Sequence, residues 1–298
     1  MERIGWKLLK KLFYEKIWNI SYSPEKFNNI DLIKNLSFEK FLIKSAADPY
    51  YFEFGNSRFV IYEKISKLTN KGTINIFDLE KNEDYQILKK RYNLSFPSVH
   101  ILKNKIFLFC ECAETKSFKY WELNENFEVI KEIAAFDEPI IDPAVLKINE
   151  DYLIIGCKRL GAEQQYKNVF YKSKDLINWF KINSQNINIE KGQERNAGQI
   201  FQFQESQFRF AQILEPIYGT GVVVNKIHTA TVNSYHEEKI KEIRIESGDA
   251  ITGIHTVSPD MNGFYFDYRM EKFNLFASIY KVFKYCRKIL IKLFPPKI

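Results

Sequence analysis

Residues 141–157, with the sequence IDPAVLKINEDYLIIGC, carry the pattern that decides the fold. A polar residue and a proline open this stretch, an apolar run follows at 144–148, and the turn Asn149-Glu150 leads into a second apolar run at 152–157. Two short apolar runs joined by a tight polar turn are typical of a β-hairpin. Similar runs, separated by charged or Asn/Gly turns, fill most of the chain. The sequence therefore predicts an all-β domain.

The opening of this stretch recurs along the chain. Units that begin with a polar residue, then a small or apolar residue, then a hairpin start at Ala47-Asp48-Pro49, Ser95-Phe96-Pro97, Ile141-Asp142-Pro143, Arg195-Asn196-Ala197-Gly198 and Gly253-Ile254-His255-Thr256. Their spacing of roughly 50 residues lies in the range of propeller blades. Five starts predict a five-bladed β-propeller, in which the opening polar residues would face one central pocket. The alternative is a β-sandwich in which the Asp-Pro pairs are ordinary turns.

Both ends of the chain predict amphipathic helices. Seven cations and no anion lie between Lys272 and the C-terminus, which equals the net charge of +7 of the whole chain. The predicted organisation is an N-terminal amphipathic helix at 1–16, the propeller at 17–271 and a basic amphipathic helix at 272–298. Because charged residues are costly inside a bilayer, we expect the C-terminal helix to lie on an anionic membrane surface. The alternative is that both helices pack on the propeller.

The composition indicates which cellular compartment, partners and cofactors to expect. The four cysteines include one close pair, at Cys110 and Cys112, and no histidine cluster accompanies it, so neither a disulfide framework nor a zinc site is predicted. The absence of a visible signal peptide then favours a reducing cytoplasm. Outside the tail there is no basic stripe and no recognition module, so nucleic acid is not an expected partner. No metal-ligand spacing and no Gly-rich phosphate loop occur, so neither a metal nor a cofactor is predicted.

A longer series of short motifs occurs in a fixed order. It comprises Trp18-Asn19-Ile20, Ala47-Asp48-Pro49, Tyr62-Glu63, Leu94-Ser95-Phe96-Pro97, Glu111, Ile141-Asp142-Pro143, the Trp179 region, Arg195-Asn196-Ala197-Gly198, Ala211-Gln212, Tyr218-Gly219 and Ile254-His255-Thr256. In this order the motifs resemble the five-bladed propeller domain at the N-terminus of plant glucosamine inositolphosphorylceramide transferases. Bacterial relatives of that domain occur in surface-polysaccharide contexts. The fold is also similar to that of furanoside-acting hydrolases and β-mannoside phosphorylases.

The chain departs from this family at two motifs. It has Asn93 where the family commonly has a histidine, and Cys110-Glu111-Cys112 where the family has Pro-Glu-Ser. The first change removes any role for a histidine at position 93, and the second keeps the carboxylate. In the plant proteins a separate transferase domain follows the propeller, so the resemblance leaves open whether the propeller is catalytic.

The blade openings supply the candidate site residues. Sugar transfer requires a carboxylate that takes a proton or stabilises an oxocarbenium-like centre, and Asp48, Glu111 and Asp142 are the predicted catalytic residues. The predicted substrate-binding residues are Arg195, His255, Ser95, Glu63 and Gln212. Arginine suits a diphosphate, which it can bind through two donors, although a structural ion pair is the alternative. Glu63 is expected to orient the other groups of the site. For His255, the alternative to substrate binding is a histidine of the protein core with its hydrogen bonds satisfied.

These residues and the tail lead to three functional hypotheses. The first is a glycosyltransferase-like enzyme that uses a sugar-nucleotide or phosphorylated sugar donor and acts on a lipid-linked glycan in bacterial cell-surface polysaccharide biosynthesis. It would be cytoplasmic and peripheral on the inner membrane, held at the anionic membrane surface by its tail. The second is a glycoside hydrolase or phosphorylase of the same fold, and the third is a non-catalytic glycan-binding propeller.

Overall fold

The structure is a computed structural model that describes residues 12–30, 35–38, 40–161, 165–182, 186–214, 218–231, 233–245, 251–279 and 281–282. Apart from a short 3-10 turn at Phe27–Asn29, its named elements are all strands. In chain order these are β1 (Tyr14–Ser23), β2 (Asn35–Leu36), β3 (Lys40–Lys44), β4 (Ala46–Phe54), β5 (Ser57–Ile65), β6 (Gly72–Asp78), β7 (Glu83–Leu88), β8 (Ser95–Leu102), β9 (Lys105–Glu111), β10 (Phe118–Leu123), β11 (Val129–Phe136), β12 (Ile141–Ile148), β13 (Asp151–Arg159), β14 (Tyr166–Ser173), β15 (Phe180–Lys181), β16 (Ile187–Asn188), β17 (Phe201–Phe203), β18 (Ser206–Gln212), β19 (Val222–Ala230), β20 (Tyr235–Ile245), β21 (Ile251–Gly253), β22 (Val257–Pro259) and β23 (Phe264–Phe273).

The strands form five sheets within the described ranges, so the predicted five-bladed propeller is confirmed. Blades 1, 2 and 3 are the four-stranded meanders β4 to β7, β8 to β11 and β12 to β15. Blade 4 has the order β16-β20-β19-β18-β17, with β2 paired to β20. Blade 5 has the order β21-β23-β1-β3, with β22 also paired to β23.

Blade 5 closes the ring by joining the two ends of the chain. β1 runs antiparallel to β23 in continuous register from Tyr14 opposite Phe273 to Ser23 opposite Phe264. The first and last strands of the propeller therefore share one sheet, and no open edge is left between the first and last blades.

The recurring Asp-Pro openings have a common backbone geometry. Asp48, Phe96 and Asp142 adopt positive φ angles of 53°, 51° and 48°. The ladder between the first two strands of each blade shifts register at these positions. The proline that follows each of them cannot donate a ladder hydrogen bond, which is consistent with a bulge. Phe96, and not Ser95, therefore holds the position in blade 2 that an aspartate holds in blades 1 and 3.

The blades pack through apolar faces. One cluster of buried side chains runs through blades 1 to 3 and includes the fully buried Trp121, and a second joins blades 4 and 5 around Phe266. Between blades 2 and 3, the rings of Phe136 and Tyr171 stack with their centroids 3.7 Å apart. These contacts hold the inner strands in place, so the groups at their beginnings occupy fixed positions.

The ends of the propeller differ from the predicted boundaries. Residues 14–16, which were assigned to an N-terminal helix, begin β1, because their backbone completes the fifth sheet. At the other end β23 continues to Phe273, and residues 277–279 and 281–282 are helical. Residues 1–11 and 283–298, which carry most of the two predicted helices, lie outside the described residues. No helix in the described part of the chain has the length and apolarity needed to span a bilayer.

The closing strand provides a stability prediction. Ile20 on β1 is fully buried and packs with Ile43, Ala46 and Tyr62. We expect Ile20→Ala to lower the free energy of unfolding by about 2–5 kcal/mol, because it removes buried methyl groups and leaves a cavity. Ile130 on β11 is 61% exposed, and Ile130→Ala is the matched control, with an expected change within about 0.5 kcal/mol. Urea unfolding of both variants checks this, and equal losses would contradict the closing role of β1.

Candidate functional site

A cavity of about 970 Å³ opens at the end of the propeller where the inner strands begin. Seven of the eight predicted site residues line it, and they come from all five blades: Asp48, Glu63, Ser95, Glu111, Asp142, Arg195 and His255. The eighth, Gln212, is buried behind them and donates to Oδ2 of Asp142 (3.2 Å) and to the carbonyl of Asn196 (2.7 Å). Gln212 therefore orients Asp142 from outside the cavity lining.

Asp48 lies in the bulge of β4 with its carboxylate almost fully buried. Its Oδ2 accepts the Phe96 N–H of blade 2 at 3.0 Å, and its Oδ1 accepts the Thr256 hydroxyl of blade 5 at 2.9 Å. Burial raises the pKa of Asp48, and the nearby charge of His255 opposes that rise. The carboxylate is therefore held by two neighbouring blades and is more basic than an exposed aspartate.

His255 lies between two carboxylates. Its Nδ1 is 2.7 Å from Oδ2 of Asp267, and its Nε2 is 3.5 Å from Oδ1 of Asp48. Burial disfavours a charge on the ring, but the carboxylates of Asp267 and Asp48 outweigh this and raise the pKa of His255. The positive charge on the ring is thus stabilised in the folded protein.

Asp267 is the main residue of this site that the sequence did not predict. It is fully buried on β23, and its carboxylate accepts the backbone N–H groups of Asp48 (3.0 Å), His255 (3.1 Å) and Thr256 (2.9 Å). It ties blade 5 to the beginning of blade 1 and fixes His255. In the sequence, Asp267 is marked only by its position as a single carboxylate within the aromatic run FYFDYR at 264–269.

Aromatic rings form one wall of the cavity beside His255. The ring of Trp18 lies over His255 with a centroid distance of 4.0 Å, and Tyr218 meets the same imidazole edge-on at 5.4 Å. Arg269 lies 5.5 Å from the Trp18 ring on blade 5 and donates to the carbonyl of Tyr218 at 2.9 Å. A polar cavity with aromatic faces of this kind suits a ligand that has both hydroxyl groups and apolar C–H faces.

Asp142 and Arg195 form an ion pair between blades 3 and 4. Nε of Arg195 donates to Oδ2 of Asp142 at 2.7 Å, and Nη2 donates to Oδ1 at 2.9 Å. Two donor groups of the guanidinium are thereby committed to Asp142. The structure thus contains the ion pair that was the alternative to a diphosphate-binding arginine, although Arg195 still lines the cavity.

Glu111 lies at the end of β9 beside this pair, where Oε2 accepts the backbone N–H of Asp142 at 3.1 Å. Burial raises its pKa to about 8, with a further contribution from Asp142 and an opposing one from Arg195. Glu111 is therefore largely protonated near neutral pH. A carboxyl group that carries a proton at this pH can act as a general acid.

Glu63 is a second carboxyl group with a raised pKa. Burial raises its pKa well above the ordinary value, and the adjacent Asp48 carboxylate adds to the shift. A glycine at position 72 makes room for it, since a Cβ there would come within 2.2 Å of Oε1 of Glu63 and of the Leu94 carbonyl.

Three carboxyl groups of the cavity have raised pKa values, and burial is the main cause for each: Asp48, Glu63 and Glu111. They differ in their ionic neighbours, since His255 lies beside Asp48, whereas Arg195 opposes the rise at Glu111. Buried carboxyl groups with perturbed pKa values that line one cavity are candidates for general acid and base catalysis. The geometry supports proton transfer to and from a hydroxyl-bearing ligand.

Asp48, His255 and Asp267 also offer ligand atoms within 4.8 Å of one another, which would allow a cation. Nδ1 of His255 already contacts Asp267, however, and both oxygens of Asp267 accept backbone N–H groups. A cation would have to separate these contacts. We expect ligand binding or turnover to survive treatment with EDTA, as an activity assay before and after chelation would measure. A loss that a divalent cation restores would contradict this prediction.

Comparisons with known proteins agree with this architecture. A family described as glucosamine inositolphosphorylceramide transferase 1, N-terminal, matches residues 29–253. The chain is 24% identical over 203 residues to glucosamine inositolphosphorylceramide transferase 1 of Oryza sativa subsp. japonica, a match that covers 64% of this chain and 27% of the rice protein. The chain thus spans about a quarter of the length of the curated relatives it matches.

Solved structures share the fold at low sequence identity. The α-L-arabinanase of Cellvibrio cellulosa complexed with arabinohexaose matches with a TM-score of 0.51 at 11% identity, over 65% of this chain and 77% of that chain. The sucrose-6-phosphate hydrolase of Lactobacillus gasseri matches with a TM-score of 0.56 at 13% identity, over 74% and 53%. Since the family match extends over most of the propeller, the chain belongs to the family of glucosamine inositolphosphorylceramide transferase 1 N-terminal domains, as its ordered motifs predicted.

Proposed function

We propose that this chain is a glycosyltransferase-like enzyme whose catalytic groups lie in the central cavity. It would transfer a glycosyl unit from a sugar-nucleotide or phosphorylated sugar donor to a lipid-linked glycan during bacterial cell-surface polysaccharide biosynthesis. The observation that carries the proposal is the convergence of Asp48, Glu111, Asp142, Arg195 and His255 on one cavity, in which burial raises the pKa values of Asp48 and Glu111. Membership of a family named for a transferase to a glycolipid supports the same class of reaction.

Asp48 is assigned the role of general base. Its Oδ1 and Oδ2 are fixed by Thr256 and Phe96, and its raised pKa strengthens its affinity for a proton. It would take the proton of the acceptor hydroxyl as that oxygen attacks the anomeric carbon of the donor, while the bond between the sugar and its leaving group breaks. His255, held by Asp267, would stabilise the ionised state of Asp48 before the proton moves.

Asp142 and Glu111 are assigned to the glycosyl unit itself. The charge of Asp142 lies beside the cavity and is oriented by Arg195 and Gln212, so it can stabilise an oxocarbenium-like centre. Glu111 carries a proton near neutral pH and can donate a hydrogen bond or the proton to a departing oxygen. Lys16, Lys67 and Lys281 line the outer part of the cavity, where a donor phosphate would leave.

A specific observation favours a second candidate, a glycoside hydrolase or phosphorylase. A protonated Glu111 is what cleavage of a glycosidic bond requires, because an alkoxide leaving group needs a proton, whereas a diphosphate leaves without one. The commitment of Arg195 to Asp142 also leaves fewer cationic donors for a diphosphate. Solved structures with this fold include the arabinanase and the sucrose-6-phosphate hydrolase.

Product analysis separates these candidates. The full chain is incubated with a panel of sugar nucleotides and glycolipid acceptors, and separately with oligosaccharides in the presence of inorganic phosphate. The proposal expects a glycosylated lipid and a released nucleotide by mass spectrometry. Free sugar from the oligosaccharides would identify a hydrolase, and a sugar phosphate would identify a phosphorylase. Binding of glycans with no product under any condition would identify a non-catalytic propeller.

We further propose that the protein is cytoplasmic and peripheral on the inner membrane. The support for this localisation is the sequence from Lys272 to the C-terminus, with its seven cations, no anion and many apolar residues. After the end of β23 at Phe273, the described part of this segment is helical at residues 277–279 and 281–282.

A further inference from the structure

Exposed apolar side chains are concentrated just after the last propeller strand. Five apolar side chains among the described residues 273–279 and 281–282 are more than half exposed: Phe273, Leu275, Phe276, Ile279 and Val282. Elsewhere in the described ranges, large exposed apolar side chains occur singly or in adjacent pairs along the chain. Isolated exposed apolar residues are normal on soluble proteins, but a contiguous group marks an interaction surface.

The same segment borders the mouth of the cavity. Ala277 and Lys281 belong to the cavity lining. The ammonium group of Lys281 donates to the carbonyl of Tyr14 at 2.8 Å and to that of Leu12 at 3.3 Å, and the Asn274 N–H donates to the carbonyl of Phe13 at 2.7 Å. These bonds fix the beginning of the tail against the entry to β1. The apolar segment therefore emerges at the rim of the cavity.

The loop between β5 and β6 adds a further apolar side chain to this rim. Ser66, Lys67 and Asn70 of the loop line the cavity, and Leu68 between them is 60% exposed. Leu68 and the tail thus border the same opening. Together, residues 66–70, 273–279 and 281–282 are called the mouth surface below.

The other end of the propeller serves as a reference. Each inner strand begins at the cavity and runs away from it, so the turn that follows an inner strand lies at the far end. The turn between β22 and β23 is of this kind, since β22 begins two residues after His255. Met261 in that turn is 71% exposed.

The charge of the tail indicates what the mouth surface binds. The ionic groups at the rim are partly balanced, with Lys16 and Glu271 3.8 Å apart. The sequence from Lys272 onward, in contrast, carries seven cations and no anion. Exposed apolar side chains that lead into a sequence with a net positive charge suit an anionic lipid surface, where apolar groups enter the interface and basic groups attract the headgroups.

We infer that the mouth surface docks on an anionic bilayer, so that the catalytic cavity opens toward the lipid headgroups. The inference rests on the proposed function in one respect, namely that the cavity is the transfer site. With this orientation the headgroup of a lipid acceptor reaches Asp48 from the membrane while its acyl chains remain in the bilayer. Docking of the mouth surface on the membrane then also brings the cavity to its lipid acceptor.

Site-specific fluorescence labelling tests the orientation without requiring turnover. The full chain carries Cys286→Ser, because Cys110, Cys112 and Cys157 are buried and should not react. An environment-sensitive nitrobenzoxadiazole dye is attached through Leu68→Cys at the mouth, or through Met261→Cys at the far end as the matched control. With phosphatidylglycerol-containing vesicles we expect a blue-shifted, brighter emission for the dye at position 68 and no change for the dye at position 261. Pure phosphatidylcholine vesicles should give no response at either position.

Sedimentation with the same vesicles provides the second measurement. Lysines of the tail are replaced singly by glutamine, at Lys284, Lys288 or Lys292. Each single substitution is expected to weaken binding of the protein to the anionic vesicles about fivefold. A response at position 261 but not at 68, silence at both positions while the protein pellets, or equal binding to neutral vesicles would each overturn the inference. Because the dye reports docking and product analysis reports transfer, failure of one is distinguishable from failure of the other.

Discussion

Asp48→Asn is expected to lower turnover by about 10²–10⁴-fold, because it removes the group assigned to take the acceptor proton. The substitution can keep the hydrogen bonds to Phe96 and Thr256 and removes the ionic contact with His255. The amide oxygen can accept the Phe96 N–H, and the amide nitrogen can donate to the Thr256 hydroxyl, which can act as either donor or acceptor. The propeller should therefore remain folded while catalysis is lost, as steady-state kinetics and thermal unfolding would measure.

A matched control separates the loss of a base from the loss of any aspartate. Asp137 is exposed and outside the cavity lining, so Asp137→Asn should leave turnover unchanged. If Asp48→Asn keeps most of the activity while its fold is intact, Asp48 is not the base. If it unfolds the protein, Thr256→Val, which removes only the hydroxyl donor to Oδ1, offers a milder perturbation of the same carboxylate.

Glu111→Gln is expected to reduce turnover by about 10²–10⁴-fold and at the same time to stabilise the protein above neutral pH. The folded-state pKa of Glu111, about 8, is higher than its ordinary value of 4.5, so the folded protein binds this proton more tightly than the unfolded chain. Its contribution to stability is fully present below the unfolded pKa and is lost as the pH rises through the folded pKa. Glutamine remains neutral at every pH and can still accept the Asp142 N–H.

The stability difference should consequently depend on pH. At pH 8 to 9 we expect the variant to be about 2–4 kcal/mol more stable than the parent, and near pH 4 the two should be equal, because Glu111 is then protonated in both states. Urea unfolding across this range measures the difference. A constant difference at all pH values, or a gain confined to acid pH, would show that Glu111 does not hold a proton in the folded protein.

The inner strands were predictable from sequence because two constraints coincide in them. They are largely buried, which gives apolar runs such as that in Ile141–Ile148, and in blades 1 to 3 each contains a bulge at which a residue with a positive φ angle precedes a proline. Because this opening repeats in three blades, it reveals the length of the repeat. Blade 4 fits less well, since its opening Arg195-Asn196-Ala197-Gly198 has no proline and its inner strand is only Phe201–Phe203.

The outer strands were not predicted, for a physical reason. Val129–Phe136 and most of Glu83–Leu88 are exposed or only half-buried, and Tyr235–Ile245 carries six charged side chains. An edge strand that faces water need not alternate apolar and polar residues, so the period-two signal is lost. Their pairing with apolar neighbours determines their conformation, and that pairing is not local in sequence.

For the candidate site, the sequence indicated which residues meet but not how they pair. The propeller argument placed Asp48, Asp142, Arg195 and His255 together because each opens a blade. Glu111 joins them from the end of β9, the second strand of blade 2. That Arg195 is bound to Asp142, or that Asp267 holds His255, depends on side-chain direction across blades and could not be deduced from spacing. Their catalytic roles remain predictions.

The most direct test of the central claim is a crystal structure of the full chain with a sugar nucleotide bound. The account predicts the glycosyl unit in the central cavity, with its anomeric carbon facing Asp48 and Asp142, its ring against Trp18 and its phosphates toward Lys16, Lys67 or Lys281. A donor bound on the outer strands or at the far end of the propeller, with the cavity lined by Asp48 and Glu111 left empty of sugar, would contradict it.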